Sequence, residues 1–464
     1  MSGEVAGAGD TVTMSLTHRV WRAGGLIGAG QMAGHALRLI STLILTRLLA
    51  PEMFGTMAIV FTVVTIVTML SDVGLLPSIV RSRREEDQDF LDTAWTVQIV
   101  RGFLIWAVAA LAALLLHLAN HQGLVSGGTT LAEPSLPALI LAGAAAAIIT
   151  GFQSTNLYLA YRRLDMGRVM MVEILGQLAG LVVSVAWAWH FPSPWALAGG
   201  ALAAALTSAY LTHRVLPGPG NRRLRWERRS LEELVALGRA VLLSSVIGVL
   251  ASNVDRLLFG ALIAPEQLGL YTIALTLSAM ALGTITRITN AVSLPALSEV
   301  QRIGTAEFRA ACFRLRRVSD IALLAAAGMI CALGESIIRL LYDTRYEAAG
   351  VILAILGLSL VGGRYAIMLQ VYLALGRASY LVRVNAVILL AVLILVPLAY
   401  ASHGFLAAVA VVALKDLIAV PLIFFLNGRH GLNDFGYEIR VLAVLPLAYG
   451  AGRLLDALLA PALS

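Results

Sequence analysis

Ala50-Pro51-Glu52-Met53-Phe54-Gly55 and Ala264-Pro265-Glu266-Gln267-Leu268-Gly269 are two copies of one motif, each directly after an apolar run. They lie 214 positions apart, and the same offset relates Tyr158-Leu159-Ala160 with Arg163 to Tyr372-Leu373-Ala374 with Arg377. Two separate matches at one spacing indicate an internal duplication. The motif itself reads as a turn between helices: proline stops one helix, and glycine permits the tight return.

Working outward from the two motifs, apolar runs alternate with short polar breaks along the chain. Spans are expected at about 24–50, 55–80, 93–118, 136–160, 169–190 and 194–212, and again at 240–263, 269–294, 316–334, 349–374, 380–401 and 405–426. A transmembrane helix needs about 20 apolar residues, so each run is long enough to cross a bilayer. The composition agrees, with 59% hydrophobic residues, 13% charged residues and a mean hydropathy of +0.84 over 464 residues. A soluble domain carries roughly 25% charged residues. The expected fold is therefore all-α and polytopic, with twelve transmembrane helices. A last stretch over 440–461, interrupted by Arg453 and Asp456, either spans or lies at the interface.

Six spans per repeat bring both halves into the membrane in the same sense. That predicts two six-helix bundles related by a pseudo-two-fold axis along the membrane normal, with a cleft between them. The expected organisation is a cytoplasmic N-terminus over 1–22, an N-terminal bundle over 23–212, a basic cytoplasmic linker over 213–238, a C-terminal bundle over 239–426, and a C-terminal segment over 427–464.

The basic residues are arginines except Lys415, and the net charge is +7. They cluster in alternate loops, from Arg19 and Arg22 through Arg222, Arg223, Arg225, Arg228 and Arg229 to Arg429 and Arg440. This asymmetry predicts a cytoplasmic N-terminus, and it is orientation chemistry rather than a nucleic-acid face. The linker opens with Pro217-Gly218-Pro219-Gly220 and suits membrane lipids or, alternatively, a partner protein.

Ionisable groups inside spans are costly and tend to face a cavity. Gln31, His35, Arg38 and Thr42 form one helical stripe in span one, and Ser245, Val249, Ser252 and Arg256 stand at the equivalent positions of span seven. Arg287 with Asn290 and Arg364 with Gln370 add cationic and amide groups in spans eight and ten. Arg38, Arg256, Arg287, Arg364, Gln31, His35, Asn290 and Gln370 are accordingly the candidate cavity residues. Asp255, Lys415, Asp416 and Glu173 are the candidate coupling groups. Internal salt bridges are the alternative for the arginines, and a packing role is the alternative for His35. A cationic cleft suits an anionic substrate such as a pyrophosphate, which guanidinium grips bidentately.

No Gly-rich phosphate loop with lysine, nucleophile–base pair or metal-ligand cluster is present in the sequence, so no catalytic or metal site, enzyme activity or cofactor is expected. An H+ or Na+ gradient, or the membrane potential, is the expected energy source.

Leu45-Thr46-Arg47-Leu48-Leu49-Ala50-Pro51-Glu52-Met53-Phe54-Gly55, with Ser71-Asp72-Val73-Gly74-Leu75 closing span two, resembles the opening of polysaccharide-transport flippases. These are the Wzx-type branch of the multidrug/oligosaccharidyl-lipid/polysaccharide exporter superfamily. Asp255-Arg256-Leu257-Leu258, running to Pro265-Glu266 and Gly269-Leu270-Tyr271, is similar to that family's seventh span. The resemblance implies translocation of undecaprenyl-pyrophosphate-linked oligosaccharide repeat units for exopolysaccharide, capsule or O-antigen (lipopolysaccharide) synthesis, with a polysaccharide polymerase and export machinery as partners. The competing readings are a drug or cation exporter of the same superfamily, which would carry an acidic cavity, and a membrane glycosyltransferase or polymerase, which would carry large catalytic loops.

Overall fold

The computed structural model describes residue 30 and residues 32–463 apart from 72–73, 83, 85–86 and 301–304; the side chains at 235–245 and 290–300, with a few single ones, are outside that description. Among the described residues the chain is helical throughout, without a strand. Helix α1 runs through 32–48. It is followed by α2 (Pro51–Leu70), α3 (Leu75–Arg81), α4 (Gln88–His121), α5 (Leu136–Gly151), α6 (Asn156–Arg162), α7 (Met166–His190) and α8 (Pro194–Arg214). The second half holds α9 (Arg228–Leu262), α10 (Pro265–Val300), α11 (Thr305–Leu341), α12 (Ala349–Gly357), α13 (Ser359–Gly363), α14 (Ala366–Ala374), α15 (Ala378–His403), α16 (Phe405–Ile418) and α17 (Val420–Gly428). The chain closes with α18 (Phe435–Leu442) and α19 (Val444–Leu463).

Ten helical segments among the described residues are long and apolar enough to cross a membrane, and α5 with α6 forms an eleventh that is bent by 68°. They correspond to expected spans two to six and eight to twelve, plus the C-terminal stretch. The first span lies partly outside the described residues, and α9, which carries Asp255 and Arg256, is not among the eleven. The C-terminal segment thus supplies a helix of spanning length, Phe435–Leu458. It packs along α11 at small residues: a Cβ on Gly328 would meet Leu445 O at 2.7 Å, and one on Gly452 would meet Ala332 Cβ at 2.6 Å. Helix association in lipid relies on such close approach rather than on exclusion of water. The α7–α8 pair uses the same device, with Gly180 against Gly200 O.

Two compact units emerge. One joins the chain up to Leu48 with Val63–His117 and Pro137–Leu242; the other joins Leu49–Thr62, Leu118–Leu136 and Leu243–Ser464. Within the second unit the two motif copies meet reciprocally. The space beside Gly55 is filled by Pro265 O, and that beside Gly269 by Pro51 O. The duplication extends to the flanking bonds. Thr130, which opens a 3-10 turn at Thr130–Ala132, donates from N to Ile263 O at 2.9 Å; Tyr346, in the turn Thr344–Tyr346, donates from its hydroxyl to Leu49 O at 2.8 Å. Both turns and both acceptor carbonyls are related by the 214-residue offset seen in the sequence.

Span nine, expected over 316–334, starts earlier: α11 begins at Thr305 and carries Arg316 inside the helix at 2% exposure.

Candidate functional site: buried charges and a polar cavity

The densest polar constellation lies in the second unit, where α11, α13–α14 and α18 converge. Asp434 caps α18 by accepting from Tyr437 N at 2.9 Å, which sets Tyr437 and Glu438 in the first turn. Glu438 then receives two guanidinium groups: Arg316 Nη2 lies 2.7 Å from Oε1 and Arg364 Nη2 lies 2.6 Å from Oε2. Asp320, one turn beyond Arg316, takes Arg316 at 3.2 Å and Arg364 at 3.6 Å. Tyr437 donates to Asp320 at 2.9 Å, and Tyr365 donates to Glu438 at 3.1 Å. The tyrosine rings also lie under the cations, with Arg364 at 4.6 Å from the Tyr365 centroid and Arg316 at 5.3 Å from that of Tyr437. Arg316, Asp320, Arg364 and Glu438 are all buried.

Two positive and two negative groups are balanced, which is what burial demands. The balance is nonetheless incomplete at the level of hydrogen bonds: Arg316 Nε, Arg364 Nε and Asp320 Oδ1 are buried without a hydrogen-bond partner. Arg364, expected to present its charge to a cavity, is therefore 3% exposed and engaged by two carboxylates. Sequence reading passed over its partners. The i,i+4 pair Arg316–Asp320 was legible as a helical pair; the arrival of Glu438 from a segment more than 70 positions beyond Arg364 was not.

In the first unit a cavity of about 350 Å³ opens at the α5–α6 break, lined by Thr68, Gln98, Arg101, Thr150, Gln153 and Tyr158 among others. A helix break exposes carbonyls that lipid cannot satisfy. Gln98 meets this need: the two N–H donors of its Nε2 are shared among Thr150 O, Gly151 O and Gln153 O at 3.0, 3.0 and 3.1 Å, while its Oε1 accepts from Tyr158 at 2.8 Å. Arg101 donates to Thr68 O at 2.8 Å and to Ser71 Oγ at 3.2 Å. Gly102 and Gly151 let α4 and α5 close on each other here, since a Cβ on Gly102 would meet Ala147 O at 2.6 Å.

The remaining sequence-expected residues are distributed along the helices. Arg38 is exposed on α1 and Arg287 exposed on α10, whereas His35 is half-buried. Gln31 lies outside the described residues, as does the side chain of Asn290. Arg256 is half-buried and donates to Asn253 Oδ1 at 2.7 Å. Its neighbour Asp255 is 1% exposed and turns the other way to accept from the Tyr271 hydroxyl; its Oδ1 has no hydrogen-bond partner. Lys415 donates to Ala251 O at 3.3 Å, one turn before Asp255 on α9. Asp416 packs against Gly362, where a Cβ would stand 2.7 Å from its own. Glu173 accepts from Tyr161 at 3.3 Å, and Gln370 is half-buried on α14. Arg364 and the newly found Arg316, Asp320 and Glu438 are brought together; the other candidates are not part of that cluster.

The fold is shared with solved transporters. An inward-facing multidrug resistance MATE family transporter of the MOP superfamily is similar with a TM-score of 0.67 at 14% identity, over 88% of this chain and 94% of that one. The lipid II flippase MurJ, in an inward closed conformation, is similar with a TM-score of 0.65 at 12% identity, over 91% and 97% of the two chains. A MOP superfamily transporter from Pyrococcus furiosus described as having a binding pocket of reverse polarity is similar with a TM-score of 0.56 at 15% identity, over 91% and 96%. No curated protein sequence is similar enough to count as a relative. Residues 44–350 match the family described as polysaccharide biosynthesis protein, and the chain belongs to that family.

Proposed function

We propose that this protein is a flippase that moves an undecaprenyl-pyrophosphate-linked oligosaccharide repeat unit across the bacterial inner membrane, with its N-terminus in the cytoplasm. The observation that carries the reading is the family match over residues 44–350 on a chain with the transporter fold. The intramembrane charge supports it. Arg38, Arg256 and Arg287 keep exposed or half-buried surface on helices α1, α9 and α10; Asp320 and Glu438 are buried with Arg316 and Arg364, Asp255 is buried, and Glu173 is exposed on α7. The arginines that stand outside the buried, charge-balanced cluster suit a pyrophosphate, which guanidinium grips bidentately. The substrate pyrophosphate would be held by these arginines while alternating access exposes the saccharide to the periplasm, and the lipid tail would stay in the bilayer. Asp255, Lys415, Asp416 and Glu173 are the groups through which an ion gradient or the membrane potential would act. The product would pass to a polysaccharide polymerase and export machinery.

The test is a deletion strain. Lipid-linked repeat units are expected to accumulate on the cytoplasmic leaflet, with rescue by the intact gene but not by Arg38→Ala/Arg256→Ala at equal protein level. Normal polymer export in the deletion strain, or full rescue by the doubly substituted protein, would overturn the cationic flippase.

A further inference from the structure

The segment between α8 and α9 is an ordered strap. Gln88 Nε2 donates to Gly220 O at 2.9 Å, and the backbone N–H groups of Arg222, Arg225 and Glu227 donate to Asp92 Oδ1, Thr96 Oγ1 and Thr93 Oγ1 at 3.0, 2.9 and 3.3 Å. Asn221 closes the upper end by accepting from Thr155 N at 2.9 Å. The strap thus lies along the first turns of α4, and its inner edge is fixed by polar bonds. Two side chains reinforce that edge: Arg225 reaches Asp89 at 2.7 Å, and Glu227 receives Arg84 at 3.0 Å.

Successive side chains of an extended backbone point to opposite sides. With Arg225 and Glu227 turned in, Leu224 and Trp226 are turned out, at 65% and 58% exposure. Cations frame them. Arg222 and Arg229 are exposed, Arg223 is 66% exposed with only a 3.8 Å approach to an Asp89 already engaged by Arg225, and Arg228 is 91% exposed and pairs with the exposed Glu232 at 2.9 Å. The depth of this edge follows from its neighbours. Helix α8 is of spanning length and apolarity and ends at Arg214, and the strap that follows runs along the polar first turns of α4, so it lies beside the same ends of two spanning helices. Tryptophan is favoured at that depth, and exposed arginines there attract anionic lipid.

We propose that this edge is a docking site for anionic phospholipid headgroups, with Trp226 and Leu224 seated at the interface and Arg222, Arg223, Arg228 and Arg229 on the phosphates. The occupant is the leaflet itself, chosen over a soluble partner by the exposed arginines around Trp226 and by the strap's place beside the ends of α8 and α4. The proposal is independent of the transported substrate.

The full chain is reconstituted in phosphatidylcholine vesicles with or without phosphatidylglycerol, using lipids brominated near the headgroup. The Trp226 signal is the difference between the unaltered protein and Trp226→Phe. It is expected to be quenched by bromolipid and shielded from iodide, with brominated phosphatidylglycerol quenching more than brominated phosphatidylcholine. One surface arginine is worth about fivefold in attraction to an anionic leaflet, so Arg222→Gln/Arg223→Gln/Arg228→Gln/Arg229→Gln is expected to abolish the preference. Should that variant not fold, the same preference in the unaltered protein must fall with rising salt. Iodide access without bromolipid quenching would assign the edge to water or a soluble partner and overturn the proposal. Equal quenching by both lipids, or a preference insensitive to charge and salt, would overturn the anionic assignment.

Discussion

Gly55 and Gly269 each sit at the start of the other's helix, so that a Cβ on Gly55 would overlap Pro265 O and one on Gly269 would overlap Pro51 O. The relation is reciprocal, as in an isologous interface between identical subunits. Here the two surfaces are copies of one motif in a single chain, and the flanking bonds from Thr130 to Ile263 O and from Tyr346 to Leu49 O follow the same exchange.

Gly269→Ala is therefore expected to cost about 1–3 kcal/mol, as an overpacked contact does. Gly283, on the same helix, has open space around its Cα. Gly283→Ala should stabilise by about 0.5–1 kcal/mol through helix propensity. Thermal melting of the two variants in detergent checks the contrast, which a merely flexible α10 would not produce.

Removing one member of the buried charge cluster strands the rest. Glu438→Gln leaves Arg316 and Arg364 facing Asp320 alone, with an expected loss of about 3–5 kcal/mol. Adding Arg364→Gln restores the charge balance and should recover part of that loss, so the double-mutant cycle should show coupling. Melting curves of the singles and the double provide the measurement.

Gln98 closes the α5–α6 break through three carbonyls. Each buried acceptor left unsatisfied costs about 1–3 kcal/mol, so Gln98→Leu should destabilise the first unit far more than Gln153→Leu at the same cavity. Hydrogen exchange at 150–158 should rise in the former only.

Outside the membrane, acid should loosen the strap. Burial alone would raise the Asp87 carboxyl, but its bonds from Arg84 and Phe90 N hold it below the ordinary range; Ser230 and Arg84 do the same for Glu227. A depressed carboxylate contributes stability that is complete above its unfolded value of about 4 and is lost as pH falls through the folded value. Protease nicking at 217–229 should therefore be low near neutrality and rise below about pH 4. Asp87→Asn, which lacks the carboxylate at every pH, should raise nicking near neutrality and shrink the rise on acidification.

The helical spans and the duplication were legible because both are one-dimensional signals. Apolar length is dictated by bilayer thickness, and a repeat preserves its spacing along the chain. The buried arginine Arg364 was also visible from the sequence, since a charge in an apolar run is conspicuous. Its role was not, because burial energetics depend on what arrives from elsewhere. Arg316 stands at the very edge of the span expected over 316–334, and its burial follows only from α11 beginning at Thr305; Glu438 stands in the C-terminal segment, where nothing in the sequence marks its partners.

From sequence alone come an all-helical membrane protein, its internal repeat and the positions of its intramembrane charges. Tertiary structure decided which charges are paired. It delivered Glu438 to Arg316 and Arg364, turned Asp255 to Tyr271, and set the two motif glycines against each other's prolines. The physical reason is that span formation is governed by local apolarity, whereas the state of a buried charge is governed by the few ångströms to a partner remote in sequence.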